Sequence, residues 1–226
     1  MLGFLFFMTQ ILKNLNQIQQ DLALISKQKI RLLAVSKKQS VQNIESAYKA
    51  GQTIFGESYL QEAIAKQQRL SHLNIEWHFI GPIQSNKCKL IAENFSWVQS
   101  VDRIKIANKL NEARTYKSPL NICIQINISN ESTKGGVNTK NINELAKQIN
   151  QLDNLALRGL MAIPSNTNNK EVLLNEYKNL KIIYENLRNE YSLIDTLSMG
   201  MSGDYLLAAQ NGANLVRIGT KIFGER

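Results

Sequence analysis

Short apolar runs alternate along the chain with longer stretches in which apolar residues recur at helical spacing. A helix is predicted over residues 9–27, and an amphipathic stretch follows each of the first seven strand-like runs. The strand-like runs lie at residues 31–36, 53–56, 75–81, 97–101, 121–129, 156–163, 195–200 and 214–220. The pattern therefore predicts a strand–helix unit that repeats along the whole chain.

This alternation favours parallel strands, because each right-handed crossover packs its helix onto the sheet. Eight units in 226 residues predict an α/β fold of one domain, a (β/α)8 TIM barrel over residues 1–226. The alternative is an open doubly wound sheet. That fold would need a switch point, and no GxGxxG sequence follows the first strand.

Polar side chains and glycine mark the expected helix ends. Ser40 is predicted to cap the helix over 41–50, and Gly51 follows its last turn. Ser58 and Gln61 have the spacing of a capping box, and Asp102 is placed to cap the helix after the fourth strand.

Composition supports one packed domain, since hydrophobic residues make up 43% of the chain and no low-complexity tract suggests a linker. The opening MLGFLFFM is apolar, but it is far shorter than the roughly 20 residues that span a membrane. It also lacks a signal-peptide cleavage pattern. We interpret residues 1–8 as a disordered extension or the product of an upstream start codon, with Met8 as an alternative start.

Charge and cysteine content narrow the class of protein. The net charge is +9, but the lysines are scattered and no aromatic residues interleave with them. This argues against nucleic acid and for anionic metabolites. Cys88 and Cys123 lie far apart, and with His72 and His78 they form no zinc-site spacing. We expect a reduced, cytoplasmic, metal-free monomer that does not bind membranes.

Two lysines follow the first strand, at the barrel end where TIM barrels carry their functional residues. A partly desolvated amine there has a lowered pKa, so that it can attack an aldehyde. Leu33, Val35 and Lys37 share one face of the strand and Lys38 lies on the other, but both faces are apolar upstream. The pattern leaves the choice between Lys37 and Lys38 open, and a solvated pair is an equal alternative.

Small residues follow the last two strands, at Ser198-Met199-Gly200-Met201-Ser202 and at Gly219-Thr220. They let backbone amides approach an anion, the hydroxyls add donors, and a helix after Ser202 would direct its positive end to the same place. The loops after strands seven and eight of a TIM barrel commonly bind phosphate. The alternative is two ordinary turns with a serine N-cap.

Arg217 lies within the eighth strand, where a buried cation needs an acceptor. The candidates are a ring nitrogen of a bound cofactor and a carboxylate such as Glu57, and a purely structural ion pair is an equal alternative.

Seven stretches together resemble the YggS/PROSC family, the pyridoxal phosphate homeostasis proteins. The resemblance covers nearly the whole chain after residue 8, and so many ordered matches are far more specific than any single motif. The matching stretches are LLAVSK (32–37), FGESYLQE (55–62), WHFIGPIQSNK (77–87), INIS (126–129), GLMAIP (159–164), LSMGMS (197–202) and VRIGTKIFGER (216–226).

The resemblance implies an alanine racemase N-terminal-like barrel that binds pyridoxal 5′-phosphate (PLP) covalently. The lysine after AVS forms the Schiff base, or internal aldimine, in this family, which implies Lys37 as its site here. Arg217 is implied near the pyridine nitrogen, leaving the ring largely unprotonated and a poor electron sink. The implied phosphate-loop residues are Ser198, Met199, Gly200, Ser202, Gly219 and Thr220.

Two positions depart from the family pattern. Ser58 stands where the family usually has asparagine. The contact between that asparagine's amide and the cofactor ring is therefore not expected here. Gly203 stands where the family usually has aspartate, and Asp204 is retained. Both positions flank the site, so we expect the affinity for PLP to differ from that of relatives while the site is kept.

Three functions are compatible with these residues. The favoured one is a carrier that binds PLP and passes it to apo-enzymes, without robust catalytic activity. The alternative is a PLP-dependent amino-acid racemase of low activity, but related racemases have a second, β-rich domain that contributes a base, and this chain ends just after strand eight. A phosphate-sugar barrel enzyme would leave the AVSK match unexplained.

Overall fold

The computed structural model describes residues 2–26, 29–115, 117–129, 131, 135–167 and 169–225, with side chains from residue 9 onward. Among these residues, eight parallel strands close a barrel in chain order, which confirms the predicted (β/α)8 fold. The strands are β1 (Arg31–Val35), β2 (Ile54–Glu57), β3 (Glu76–Phe79), β4 (Trp97–Val101), β5 (Leu120–Ile126), β6 (Leu155–Ala162), β7 (Thr196–Ser198) and β8 (Leu215–Ile218).

Helices pack around the outside of this barrel. Among the described residues, no helix is both long and apolar enough to cross a membrane. Short 3-10 turns at Ser85–Lys87 and Thr139–Asn141 precede the fourth and sixth helices. The helices are α1 (Leu2–Ile25), α2 (Val41–Lys49), α3 (Leu60–Arg69), α4 (Cys88–Asn94), α5 (Ile104–Ala113), α6 (Ile142–Ile149), α7 (Lys170–Glu190), α8 (Tyr205–Gln210) and α9 (Thr220–Phe223).

The ends of α2 agree with the prediction. The hydroxyl of Ser40 accepts a hydrogen bond from the backbone N–H of Asn43 at 3.1 Å. Gly51 follows the helix with a φ of 93°, a left-handed conformation that favours glycine. α1 begins at Leu2, ahead of its predicted start, and the side chains of residues 1–8 lie outside the described part of the chain.

The two other predicted caps are wrong. α3 begins at Leu60 because β2 runs to Glu57 and Ser58 lies in the bend between them. α5 begins at Ile104, and the carboxylate of Asp102 instead contacts the guanidinium of Arg103 at 2.6 Å.

Alternation along the strands divides the core into an outer layer and a barrel interior. Leu32, Ala34 and Phe55 belong to the large core between strands and helices, whereas Leu33 and Val35 pack separately inside the barrel. The interior also contains buried polar side chains, which pack with the apolar residues Leu33, Val35, Trp97, Cys123, Met161 and Leu215. Side chains therefore fill the barrel interior among the described residues.

Both cysteines are buried and unpaired, as expected for packed thiols. Burial raises the pKa of the Cys88 thiol, and it raises the pKa of Cys123 to about 12. Neither thiol therefore has the thiolate character of a reactive cysteine at neutral pH.

Candidate functional site

The carboxyl ends of the strands form one mouth of the barrel, and the predicted site residues gather there. β1 pairs directly with β8, with Ala34 opposite Ile218, so Lys37 and Thr220 follow neighbouring strands at the same end. β8 pairs in turn with β7. The predicted amine and the two predicted anion loops are therefore contiguous.

Exposure and backbone conformation distinguish the two lysines, which the sequence pattern alone could not. Both lie in the turn after β1, which ends at Val35. Lys37 is half-buried, whereas Lys38 is exposed and has a φ of 62°, an uncommon conformation for a residue with a side chain. Lys37 is therefore the more enclosed of the two amines, which favours it as the candidate.

A buried ion pair lies directly beneath the turn that carries Lys37. The Nζ of Lys66, on α3, contacts Oε1 of Glu57 at 2.8 Å, and their side chains are 7% and 0% exposed. The same Nζ donates to the carbonyl of Ser36 at 2.7 Å, and the Ser36 hydroxyl donates to Oε1 of Glu57 at 2.6 Å. These partners hold the chain immediately before Lys37.

The chain immediately after Lys37 is held by the same lysine. Nζ of Lys66 contacts Oε1 of Glu62 at 2.5 Å, and that oxygen accepts the backbone N–H of Lys38 at 2.5 Å. We call Ser36, Glu57, Glu62 and Lys66 the Lys66 cluster. The cluster bonds Ser36 and Lys38, the two neighbours of Lys37, to side chains of α3. The backbone on both sides of Lys37 is therefore held in place.

Glu57 is not the partner of Arg217 that the sequence allowed. Its Oε1 is taken by the Lys66 cluster, and its buried Oε2 has no hydrogen-bond partner among the described residues. Burial is the largest influence on this carboxyl and raises its pKa, against the opposing effect of Lys66.

Arg217 is instead held by neutral acceptors inside the barrel. Its Nη1 donates to the hydroxyl of Ser198 and its Nη2 to the carbonyl of Ala162, both at 2.8 Å. Arg217 is 4% exposed, and burial lowers its pKa to about 10, which leaves it a cation at neutral pH. The two contacts fix the guanidinium plane and leave other N–H donors for a ligand.

The two predicted anion loops lie next to each other. The backbone N–H of Lys221, directly after loop 8 (residues 219–220), donates to the hydroxyl of Ser202 in loop 7 (residues 199–204) at 3.5 Å. The carbonyl of Gly200 also accepts the backbone N–H of Arg217 at 3.0 Å. Met199 is buried and Ser202 half-buried, while Thr220 is exposed as the first residue of α9 and not the last of a strand.

The helix after loop 7 starts later than predicted. α8 begins at Tyr205, and Asp204 occupies the position before it. Oδ1 of Asp204 accepts the backbone N–H of Met201 at 2.6 Å. Because a carboxylate already lies at the start of α8, the anion-binding capacity of these loops depends on their amides and hydroxyls.

Replacing Gly200 by alanine is expected to lower the free energy of unfolding by about 2–3 kcal/mol. Gly200 has a φ of 90°, and a Cβ there would lie 2.5 Å from the Cβ of Ala208 and 3.1 Å from the Cα of Tyr205. Gly203→Ala is the matched control, since a Cβ at that position meets nothing within 4 Å. Urea unfolding of both variants measures the difference, and equal midpoints would contradict this account of loop 7.

Sequence reasoning missed Lys66, and it also missed the buried hydrogen bond between Gln99 and His78 in the barrel interior. Lys66 follows Glu62 by four residues, a spacing that suggests only a surface helix pair. His78 lies between two aromatic residues and Gln99 follows a valine, so nothing local distinguishes them from core positions of a strand. Lys66 contacts the Ser36 carbonyl and Gln99 accepts from Ser198. Because these partners are distant in sequence, the fold was needed to find them.

The arrangement suits a ligand with three distinct groups. An amine at the mouth can react with a carbonyl, the small-residue loops can surround an anion, and a buried guanidinium can donate to a ring acceptor. A separate cavity of about 730 Å³ lies at the opposite end, lined by residues such as Gln19, Arg31 and Thr53, and contains none of these groups.

Comparison with known sequences gives one consistent result. The family described as "Alanine racemase, N-terminal domain" matches residues 8–226. A protein of Pasteurella multocida named "Pyridoxal phosphate homeostasis protein" is 49% identical over 225 residues, covering 95% of this chain and 97% of that protein. A protein of Escherichia coli with the same name is 42% identical over 229 residues, covering 97% of this chain and 98% of that protein.

Solved structures agree with the barrel. PipY of Synechococcus elongatus, solved with PLP bound, is 32% identical and superimposes with a TM-score of 0.86 over 95% of this chain and 100% of that chain. Alanine racemase of Corynebacterium glutamicum superimposes with a TM-score of 0.77 over 97% of this chain and 62% of its own. At 15% identity, the racemase shows likeness of fold alone.

Proposed function

Because this chain belongs to the alanine racemase N-terminal domain family, as one of its pyridoxal phosphate homeostasis proteins, we propose that it binds PLP covalently through Lys37. The observation that carries the proposal is the half-buried Lys37, whose two neighbours are both held by the Lys66 cluster, at the same barrel end as the adjacent loops 7 and 8. An amine in this setting is held where it can form a Schiff base with an aldehyde whose anionic group lies in the adjacent loops.

The residues present fit the other groups of PLP. The hydroxyls of Ser202 and Thr220 and the backbone of Gly200 and Gly219 would hold the phosphate, and Arg217 would donate to the ring nitrogen. Ser58 and the backbone of Met199 would flank the site, since the Met199 side chain is buried in the core between strands and helices. The Ser198 hydroxyl donates to Gln99 and accepts from Arg217, so we assign it to orienting the arginine and not to the phosphate.

Arg217 also supports a holding role in preference to catalysis. When bound, PLP supplies an electron sink whose strength depends on protonation of its ring nitrogen. A permanent cation beside that nitrogen opposes its protonation, and Arg217 stays charged because the pKa of its guanidinium is about 10.

In the proposed function, the protein stores PLP and passes it to apo-enzymes in the cytoplasm, as a monomer. Two buried, unpaired cysteines are consistent with a reducing compartment.

Amino-acid turnover tests this function against that of a racemase. PLP-loaded protein is expected to racemise alanine and serine at rates well below roughly 1 per second, the lower end of ordinary enzyme rates. Racemisation is measured by chiral chromatography, with alanine racemase as the positive control. Turnover within the ordinary enzyme range would refute the storage role.

Handover is tested separately. Loaded protein should reactivate a PLP-dependent apo-enzyme faster than PLP dissociates into solution, as measured with an excess of an aldehyde trap. Reactivation no faster than dissociation would mean that PLP is released freely and not handed over.

A further inference from the structure

A line of buried hydrogen bonds crosses the barrel interior from Arg217 to the opposite end. Nη1 of Arg217 lies 2.8 Å from the Ser198 hydroxyl, which lies 2.6 Å from Oε1 of Gln99. Nε2 of Gln99 lies 2.7 Å from Nδ1 of His78, whose Nε2 lies 2.7 Å from Oε1 of Glu76. We call these five side chains the interior relay.

Burial lowers the pKa of His78, so its imidazole is neutral, and with a neutral imidazole beside the Glu76 carboxylate the relay allows one assignment of donors. Arginine can only donate, so the Ser198 hydroxyl accepts from Arg217 and gives its own hydrogen to Oε1 of Gln99. The amide of Gln99 then donates through Nε2 to Nδ1 of His78, which requires a neutral imidazole with its hydrogen on Nε2. That hydrogen is directed at Glu76. In every hydrogen bond of the relay, the donor therefore lies nearer the barrel mouth and the acceptor nearer the opposite end.

Because the relay is buried, exchanging its donors and acceptors has a high energetic cost. Ser198, Gln99 and His78 are each 0% exposed, so none of them can exchange its partner for bulk water. Rotating the Gln99 amide would direct its N–H₂ group at Ser198 and its oxygen at the lone pair of His78. The hydroxyl hydrogen of Ser198 would then lose its acceptor, and Nδ1 of His78 would lose its donor.

At the end of the relay opposite the mouth, stacking holds the ring of His78. The His78 ring lies parallel to the indole of Trp97, with centroids 5.0 Å apart and planes 4° from parallel. The guanidiniums of Arg31 and Arg158 lie 4.9 Å and 5.1 Å from the same indole. The stacking therefore fixes the plane of the His78 ring, and the contact of Nε2 with Glu76 leaves Nδ1 facing Gln99.

We propose that Gln99 and His78 are positioning residues which, through Ser198, set the orientation in which Arg217 meets the ring nitrogen of bound PLP. The inference rests on the proposed PLP site and adds to it a control that lies on the other side of the barrel. Neither residue contacts the ligand. Their effect is to keep the Ser198 hydroxyl oxygen accepting from Nη1 of Arg217. The guanidinium then stays in one orientation, and its remaining N–H groups keep a fixed direction.

The test uses PLP labelled with ¹⁵N in its ring, bound to full-length protein and observed by NMR. Gln99→Met and Ser198→Ala should each move the ring-nitrogen shift away from its wild-type position and raise the Kd for PLP about threefold to tenfold. The double variant should show no larger change than Ser198→Ala alone, because Gln99 acts through Ser198. Cys123→Ala, a buried interior change outside the relay, should leave the shift unchanged.

The outcomes separate the two proposals. A wild-type protein that leaves the ring-nitrogen resonance at its free position refutes the PLP site and this inference with it. A shifted wild-type resonance that stays in place in both single variants refutes the inference alone. Additive changes in the double variant, or an equal change in Cys123→Ala, would show a general effect of interior packing and also refute it.

Discussion

Replacing Lys37 by alanine is expected to abolish covalent attachment of PLP, whereas Lys38→Ala should leave attachment intact. The structural reason is enclosure, since Lys37 is half-buried in the turn after β1 and Lys38 is exposed. After borohydride treatment, mass spectrometry should find the reduced cofactor on the peptide that contains Lys37. The Lys37→Ala protein should carry no such mass.

Lys38→Ala is a close control because it removes an amine of the same kind one residue away. The backbone N–H of Lys38, which contacts Glu62, is retained in this variant. Noncovalent binding of PLP by Lys37→Ala would still be compatible with the site, because loops 7 and 8 and Arg217 are unchanged. Loss of the attached mass from Lys38→Ala and its retention by Lys37→Ala would contradict the assignment.

The fold could be predicted from local pattern, because eight apolar runs with helical intervals have few other solutions. The strand ends were less predictable. The seventh and eighth runs were expected to extend to Gly200 and Thr220, but β7 ends at Ser198 and β8 at Ile218. The small residues beyond those ends form the loops, and apolar composition does not distinguish a strand residue from a buried loop residue such as Met199.

The sequence could predict only those positions of the candidate site that follow from strand order and direction. Lys37 and Arg217 stand at the mouth and inside the barrel because strand order and direction place them there. The partners of Arg217 were not predictable. The sequence allowed a cofactor ring nitrogen or a carboxylate such as Glu57. The protein acceptors are instead Ser198 and a backbone carbonyl, whose position depends on how β6, β7 and β8 are staggered.

Replacing Lys66 by methionine is expected to lower the free energy of unfolding by about 3–5 kcal/mol at neutral pH, the cost of leaving a buried charge without its partner. Lys66 and Glu57 are both buried, Lys66 contacts Oε1 of Glu57, and Oε2 of Glu57 has no hydrogen-bond partner among the described residues. Lys178→Met, on the exposed face of α7, is the control and should change the stability by less than about 0.5 kcal/mol.

The loss in Lys66→Met should depend on pH in a defined direction. Burial already raises the pKa of Glu57 above its ordinary value of 4.5, and removal of the lysine leaves that effect unopposed. A carboxyl with a raised pKa in the folded state contributes stability below its unfolded pKa and loses it as pH rises through the folded value. The difference from wild type should therefore be smallest near pH 4.5 and widen toward neutral pH.

The double variant Glu57→Gln, Lys66→Met separates the buried charge from the lost packing. It removes the uncompensated carboxylate, so it should be more stable than Lys66→Met at neutral pH and should lose most of the pH dependence. The turn before Lys37 would still lack the Nζ that holds the Ser36 carbonyl, so covalent attachment of PLP should stay below wild type even where stability returns. Urea midpoints at acidic and neutral pH, with the borohydride assay, measure both effects. A double variant no more stable than Lys66→Met would contradict the buried-charge explanation, because the charge would then contribute nothing to the loss.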